Sequence, residues 1–266
     1  MDSIDIKTLK VNDFHKQYLK RISKLKFPIF SIIEFNLHGS CNRRCAFCPR
    51  VDEELWPNKD EEFDLKLFTK IINELKEIDY SGRISFSGFS EPTMHSNLPE
   101  ILSIASKNLP NSFPEIITNG DYLNSKKLIE FFDNGLKFIY VSLYTNKQTY
   151  DKLVKLKKDL KLSDYQFSIR PRNLGSKKNF GLNLNNRAGA VDYSTFGKKL
   201  KEEFPLKQTC NYPMYTIFVD YNGDTLICPN DWDKRKVIGN VNKDNIRLTI
   251  DYNEDYEVFK KLAKRF

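Results

Sequence analysis

Apolar residues recur along the first two thirds of the chain in two alternating rhythms. Short, dense apolar runs stand at 29–35, 83–88, 115–118, 138–143 and 166–170, each followed by polar or glycine-bearing residues. Between them the apolar positions open out to helical spacing, as with Phe68, Ile71, Ile72 and Leu75, and again with Leu128, Phe131 and Phe132. Capping residues punctuate these helices. Asp64 is placed to cap the first, Pro99 suits an initial helical turn, Ser125 opens the next helix and Gly135 stops it. A lysine-rich helix is predicted from about 146 to 161 and a sixth strand at 187–191. Strand alternating with helix five times or more predicts α/β architecture, with parallel strands joined by crossover helices. In such sheets, sites form at the carboxyl ends of the strands.

Near residue 195 the rhythm changes. Residues 210–228 read as a β-hairpin turning at Asn222-Gly223. Residues 238–241 and a C-terminal helix carrying Tyr256, Phe259 and Leu262 follow. Three regions result: a polar leader at 1–27, with an amphipathic piece around 14–19 and a surface His15, a main α/β unit at 28–195, and a smaller unit at 196–266.

The net charge of +8 comes from 43 basic against 35 acidic residues. The lysines are scattered along helices, as in 151–159 and 198–201, so they read as a solvated face, and a nucleic-acid partner is not expected. Acidic substrates or phosphates are the second reading of that charge. No apolar run is long enough to span a bilayer, and lysines interrupt every apolar stretch of the leader, so neither a membrane nor a signal peptide is expected. The expected setting is cytoplasmic and reducing, where five cysteines are ligands or reactive groups more often than disulfides.

Three of those cysteines, Cys41, Cys45 and Cys48, fall within eight positions directly after the first strand. Thiolates this close on a loop converge on one centre, and soft sulfur donors favour iron–sulfur clusters, zinc or copper(I). Three ligands are one short of a closed site. Zinc would need a fourth, for which His38 is nearest; an iron–sulfur cubane would keep one iron open to an outside ligand. Glu91, Asn119 and Ser142, at or after successive strands, fall on the same rim.

The Cys-x-x-x-Cys-x-x-Cys pattern, with Phe47 beside the third cysteine, resembles the radical S-adenosylmethionine superfamily. The resemblance implies a partial (β/α)6 barrel with a small C-terminal β-hairpin plus helix appendage. It implies that Cys41, Cys45 and Cys48 hold a [4Fe-4S] cluster whose free iron is chelated by S-adenosyl-L-methionine, with Phe47 beside the adenine. Ser87-Gly88-Phe89-Ser90-Glu91-Pro92 sits where the family has a glycine-rich segment ending in Glu-Pro. Gly88 and Ser90 would flank the methionyl group, and the Glu91 carboxylate would accept from its amine. Asn119, Ser142 and Arg170 match positions that face the cofactor's ribose and carboxylate, and Arg187 matches an arginine at the substrate. Anchoring a hydroxyl suits Arg187 better than proton transfer, because a guanidinium is a poor base.

The C-terminal region is similar to the family's twitch/SPASM appendage, which binds an auxiliary Fe-S cluster through four cysteines. Here Cys210 and Cys228 match two of them, and no Cys-x-x-Cys follows before Phe266. The family reading implies an oxidoreductase or related radical enzyme served by a flavodoxin- or ferredoxin-type reductant. Its substrate is expected to be a small polar alcohol such as an amino sugar or cyclitol, with a peptide as the rival. A non-catalytic zinc- or nucleic-acid-binding module is the alternative from another class.

Overall fold

The computed structural model describes residues 30–171, 187, 190, 191, 212 and 215–246. Five parallel strands alternate with four helices over the first part of this span: β1 (Ile32–Phe35), α1 (Leu65–Glu77), β2 (Arg83–Phe86), α2 (Leu98–Asn108), β3 (Phe113–Thr118), α3 (Ser125–Asp133), β4 (Phe138–Leu143), α4 (Lys147–Asp159) and β5 (Phe167–Pro171). Three more strands follow, β6 (Thr216–Val219), β7 (Asp224–Leu226) and β8 (Val237–Asn240). All eight form one sheet in the order β5-β4-β3-β2-β1-β6-β7-β8.

The helices start where the sequence places them. Asp64 accepts from the Leu67 N–H at 2.8 Å, Asn124 from Lys127, and Asn146 from Thr149, each supplying an acceptor to an otherwise orphan first-turn amide. Phe68, Ile71, Ile72 and Leu75 of α1 are buried against the outer face of the sheet. There they meet Ile33 and Phe35 of β1, Ile84 and Phe86 of β2, and Ile217 and Val219 of β6. Because side chains alternate along a strand, the intervening residues face the other way, into the barrel. That inner face is polar and internally bonded: Ser87 donates to Glu34 at 2.6 Å, Tyr212 donates to the same carboxylate, and Arg83 pairs with Glu115.

The sixth parallel strand is not the 187–191 segment predicted from the sequence. Arg187 lies in the left-handed region at φ 49, and neither it nor Ala190 or Val191 belongs to a strand. The place is taken by β6, which pairs with β1 in register Ile33↔Ile217 and Phe35↔Val219. The physical reason is in the side chains. Thr-Ile-Phe-Val alternates an apolar outer pair with an inner pair, whereas Arg-Ala-Gly-Ala-Val has too little branched surface to cover an edge. The first arm of the predicted hairpin is therefore a barrel strand, and β7 and β8 extend the sheet beyond it in antiparallel fashion. The hairpin turns where expected, with Gly223 at φ 86 and its N–H bonded to Asp220 O at 2.8 Å. The leader, Cys210 and the expected C-terminal helix lie outside the described residues, as does the proposed boundary at 195. No helix among the described residues is long and apolar enough to cross a membrane.

Candidate active site

The loop leaving β1 is tied down on both flanks before it presents its cysteines. On one side His38 is buried, and its Nδ1 accepts from the Ser40 amide at 3.0 Å, while Nε2 stands 3.8 Å from Glu62. On the other, Asn42 and Arg43 both donate to Asp121, at 2.7 and 2.6 Å, and Asn119 donates to Asn42 at 2.7 Å. Asp121 in turn bonds back to Asn119 through its own amide. The cysteine loop is thus latched to the turn that ends β3. His38 faces acceptors of its own and does not line the cysteine cavity, so it is no fourth ligand for a zinc ion.

Cys41, Cys45 and Cys48 share the wall of one cavity of about 160 Å³ at the carboxyl ends of the strands. The same cavity is lined by Phe47, Gly88, Ser90, Glu91, Asn119, Ser142 and Arg187, so seven further residues singled out in the sequence converge there. Arg170 is not among them. It closes β5 opposite Ser142, one strand further round, at the sheet's edge. Cys228 is not in the lining either, although Pro229 is, and its sulfur accepts from the Asn230 amide at 3.4 Å.

Burial, then the neighbouring thiols, push the Cys45 thiol up to about 12; burial raises Cys41 to about 11 and also raises Cys48. Among the described residues no three His, Cys, Asp or Glu side chains stand close enough to hold one metal ion. The donor chemistry nevertheless fits a thiophilic centre. Three sulfurs face one cavity with Arg43, Arg50 and Arg187 around them, so the negative charge of a thiolate cluster would meet cations.

Glu91 behaves differently from the expectation of a free acceptor. It is 2 % exposed, and its Oε1 accepts from the Thr93 amide, the Thr93 hydroxyl and the Thr118 hydroxyl, while Oε2 accepts from the Asn119 amide at 2.8 Å. Burial raises its pKa against these bonds. The carboxylate therefore pins the ends of β2 and β3 together, leaving Oε2 the less occupied oxygen. Ser90 donates to Asn36 at 2.6 Å. Gly88 lies at φ 117, and a Cβ there would fall 2.7 Å from Phe218, so only glycine permits this backbone path.

Several lining residues escaped the sequence reading. Tyr144 packs against Phe47 in a tilted contact with ring centroids 5.0 Å apart, and Phe89 against Trp232 at 4.3 Å. Asn230 accepts from Arg187 at 2.9 Å and holds its guanidinium. Tyr144 follows the end of β4 directly, so its position in the strand pattern carried a signal; Trp232 and Asn230 are brought in from the C-terminal strands and carried none.

Residues 35–162 match the Radical SAM superfamily, and residues 210–265 match an iron-sulfur cluster-binding domain of the SPASM type. The S-adenosyl-L-methionine-dependent 2-deoxy-scyllo-inosamine dehydrogenase of Niallia circulans is 26 % identical over 245 residues, covering 89 % of this chain and 88 % of that protein. The crystal structure of BtrN in complex with AdoMet and 2-DOIA superposes with a TM-score of 0.71 at 25 % identity, covering 90 % of this chain and 88 % of the other. That of Streptococcus suis SuiB bound to S-adenosylmethionine shares the fold, with a TM-score of 0.52 at 13 % identity, over 97 % and 75 % of the two chains. The chain is a radical S-adenosylmethionine enzyme, a member of the Radical SAM superfamily with a SPASM-type C-terminal region.

Proposed function

We propose that this enzyme acts on a secondary alcohol of a small aminocyclitol or amino sugar, with Cys41, Cys45 and Cys48 holding the [4Fe-4S] cluster. The observation that carries the reading is the meeting of those three thiols with Glu91, Asn119, Ser142 and Arg187 around a single cavity. It is supported by the nearly full-length likeness to 2-deoxy-scyllo-inosamine dehydrogenase. When bound, the cluster and S-adenosyl-L-methionine supply one-electron chemistry that ends in hydrogen-atom abstraction from an unactivated C–H bond.

This chain's own residues bind, orient and shield. The latch of Asn42 and Arg43 onto Asp121 holds the cysteine loop against the strand ends. Phe47 and Tyr144 pack together as an aromatic wall against which an adenine can lie, and Asn119 and Ser142 offer hydrogen bonds beside it. Glu91 fixes the β2–β3 rim, and its Oε2 retains room for one further donor such as the methionyl amine. Arg187, held by Asn230, presents N–H groups to a substrate hydroxyl. Phe89 and Trp232 cover the remaining wall and exclude water. A flavodoxin- or ferredoxin-type protein is the reductant.

Oxidation of the alcohol removes a hydrogen atom, a proton and one further electron, and that electron needs an acceptor. Cys210 and Cys228 are the cysteines present for an auxiliary cluster, two against the family's four. Without such an acceptor the same radical would be open to a redox-neutral epimerisation or elimination on the same substrate class. The test is anaerobic incubation with dithionite, S-adenosyl-L-methionine and 2-deoxy-scyllo-inosamine deuterated at each carbinol carbon in turn. The proposal predicts deuterium in 5′-deoxyadenosine from one position. A ketone product marks oxidation, and an epimer or dehydrated product marks the redox-neutral course. Deuterium transfer from a peptide but from no cyclitol would overturn it.

A further inference from the structure

The bend after β2 is fastened from behind, and the fastening reaches the C-terminal strands. Asn36, the residue after β1, is fully buried. Its Nδ2 donates to Asp220 at 2.6 Å and to the His38 carbonyl at 3.2 Å. Its Oδ1 accepts from the Ser90 hydroxyl at 2.6 Å. Asp220 follows β6, is buried, and is itself held: Lys234 Nζ lies 2.7 Å from its Oδ2, and the Tyr221 N–H bonds its Oδ1 at 2.8 Å. A chain of contacts thus runs from Lys234 through Asp220 and Asn36 to Ser90, which lines the cysteine cavity. We propose that Ser90 Oγ accepts a hydrogen bond from the methionyl amine of S-adenosyl-L-methionine, and that Asn36 is the positioning residue that makes it an acceptor. The inference rests on the cofactor and is independent of the substrate class.

The hydrogen-bond directions are fixed. The Asp220 carboxylate and the His38 carbonyl only accept, so the Asn36 NH2 must face them and its oxygen must face Ser90. An amide oxygen only accepts, so the one hydroxyl proton of Ser90 is committed to it. Any further contact of Ser90 Oγ, in the cavity it lines, is therefore one in which it accepts. An amine that ligates a metal through its lone pair keeps two N–H donors. Glu91 has room for one of them at Oε2, since Thr93 and Thr118 fill Oε1 and Asn119 already bonds Oε2. Ser90, adjacent in the chain and on the same cavity, supplies the second acceptor. Turning the Asn36 amide over would make the same hydroxyl a donor that opposes the amine. Asp220, clamped by Lys234, prevents this.

Anaerobically reconstituted wild type, Ser90→Ala, Ser90→Thr, Asn36→Leu and the double variant Ser90→Ala/Asn36→Leu are compared at matched iron content, with circular dichroism as the check on folding. The Kd for S-adenosyl-L-methionine is read by equilibrium dialysis and by the shift of the reduced-cluster paramagnetic resonance signal on titration. Ser90→Ala should raise Kd about tenfold, the loss of one hydrogen bond to a polar cofactor group, and Ser90→Thr, which keeps the hydroxyl, should restore most of the affinity. Asn36→Leu should raise Kd to a similar extent and the double variant no further, because Asn36 acts through Ser90. Should Asn36→Leu not fold, the Ser90→Ala and Ser90→Thr pair decides by itself. A wild-type Kd in Ser90→Ala overturns the inference and leaves the proposed function standing. So does an Asn36→Leu protein with a lowered urea midpoint but a wild-type Kd, or additive losses in the double variant. A wild-type cluster signal that does not respond to S-adenosyl-L-methionine overturns both.

Discussion

Replacing Glu91 by glutamine separates a structural carboxylate from one that only binds cofactor. The side chain is 2 % exposed and accepts three hydrogen bonds at Oε1 and one at Oε2. A glutamine satisfies one side only. With its carbonyl toward Thr93 and Thr118, its NH2 faces the Asn119 N–H, donor against donor. One charge-assisted bond is lost, which costs about 1.5–3 kcal/mol, and the other three weaken because the acceptor is neutral. Part of this is offset, since a neutral amide is cheaper to bury than a carboxylate whose pKa burial already raises. The net expectation is a loss of about 2 kcal/mol from a total of about 5–15 kcal/mol. Urea unfolding of metal-free protein measures it as a lower midpoint with an unchanged slope. A Glu91→Gln midpoint within about 0.5 kcal/mol of wild type refutes the reasoning, because a residue acting solely on the methionyl amine contributes nothing without cofactor.

Other substitutions test other joints of the site. Asp121 is pushed up by burial, but the bonds from Arg43 and Asn42 outweigh this and hold its pKa below 3.8. Its stabilisation is therefore present above 3.8 and lost as pH falls through the lower folded value, so wild type and Asp121→Asn should differ in urea midpoint at pH 7 and converge in strong acid. Lys234→Met leaves Asp220, 2 % exposed on its side chain, without its cation; the expected destabilisation is about 3 kcal/mol, the low end for a broken buried pair because Asn36 still donates to it. Gly88→Ala forces a Cβ to 2.7 Å from Phe218 at φ 117, and a thermal melt should register a loss of roughly 2 kcal/mol.

The strands and helices of residues 30–171 were legible because each obeys one period and carries its own punctuation, as with the Asp64 cap before Phe68, Ile71, Ile72 and Leu75. The cysteine loop and the rim residues Glu91, Asn119 and Ser142 were legible for the same reason, since strand ends in parallel architecture share one side. What was not legible depends on pairing across sequence distance. That β6 completes the barrel at β1 follows from an edge needing a partner about 180 residues away, which no local pattern records. Trp232 enters the cavity, and Asn230 reaches Arg187, on the back of that pairing. Arg170 ends a strand on the same side, on β5 at the sheet's edge next to Ser142, and stands outside the lining of this cavity.

The most direct test of the central claim is iron content and electron paramagnetic resonance of anaerobically reconstituted protein, with and without S-adenosyl-L-methionine, in wild type, Cys45→Ala and the double variant Cys210→Ala/Cys228→Ala. The account predicts about four irons per chain in the double variant, with a reduced-cluster signal that shifts on adding S-adenosyl-L-methionine. It predicts loss of that shifting signal and of 5′-deoxyadenosine formation in Cys45→Ala. Zinc in place of iron, or a Cys45→Ala protein that keeps both the signal and the cleavage, would contradict it.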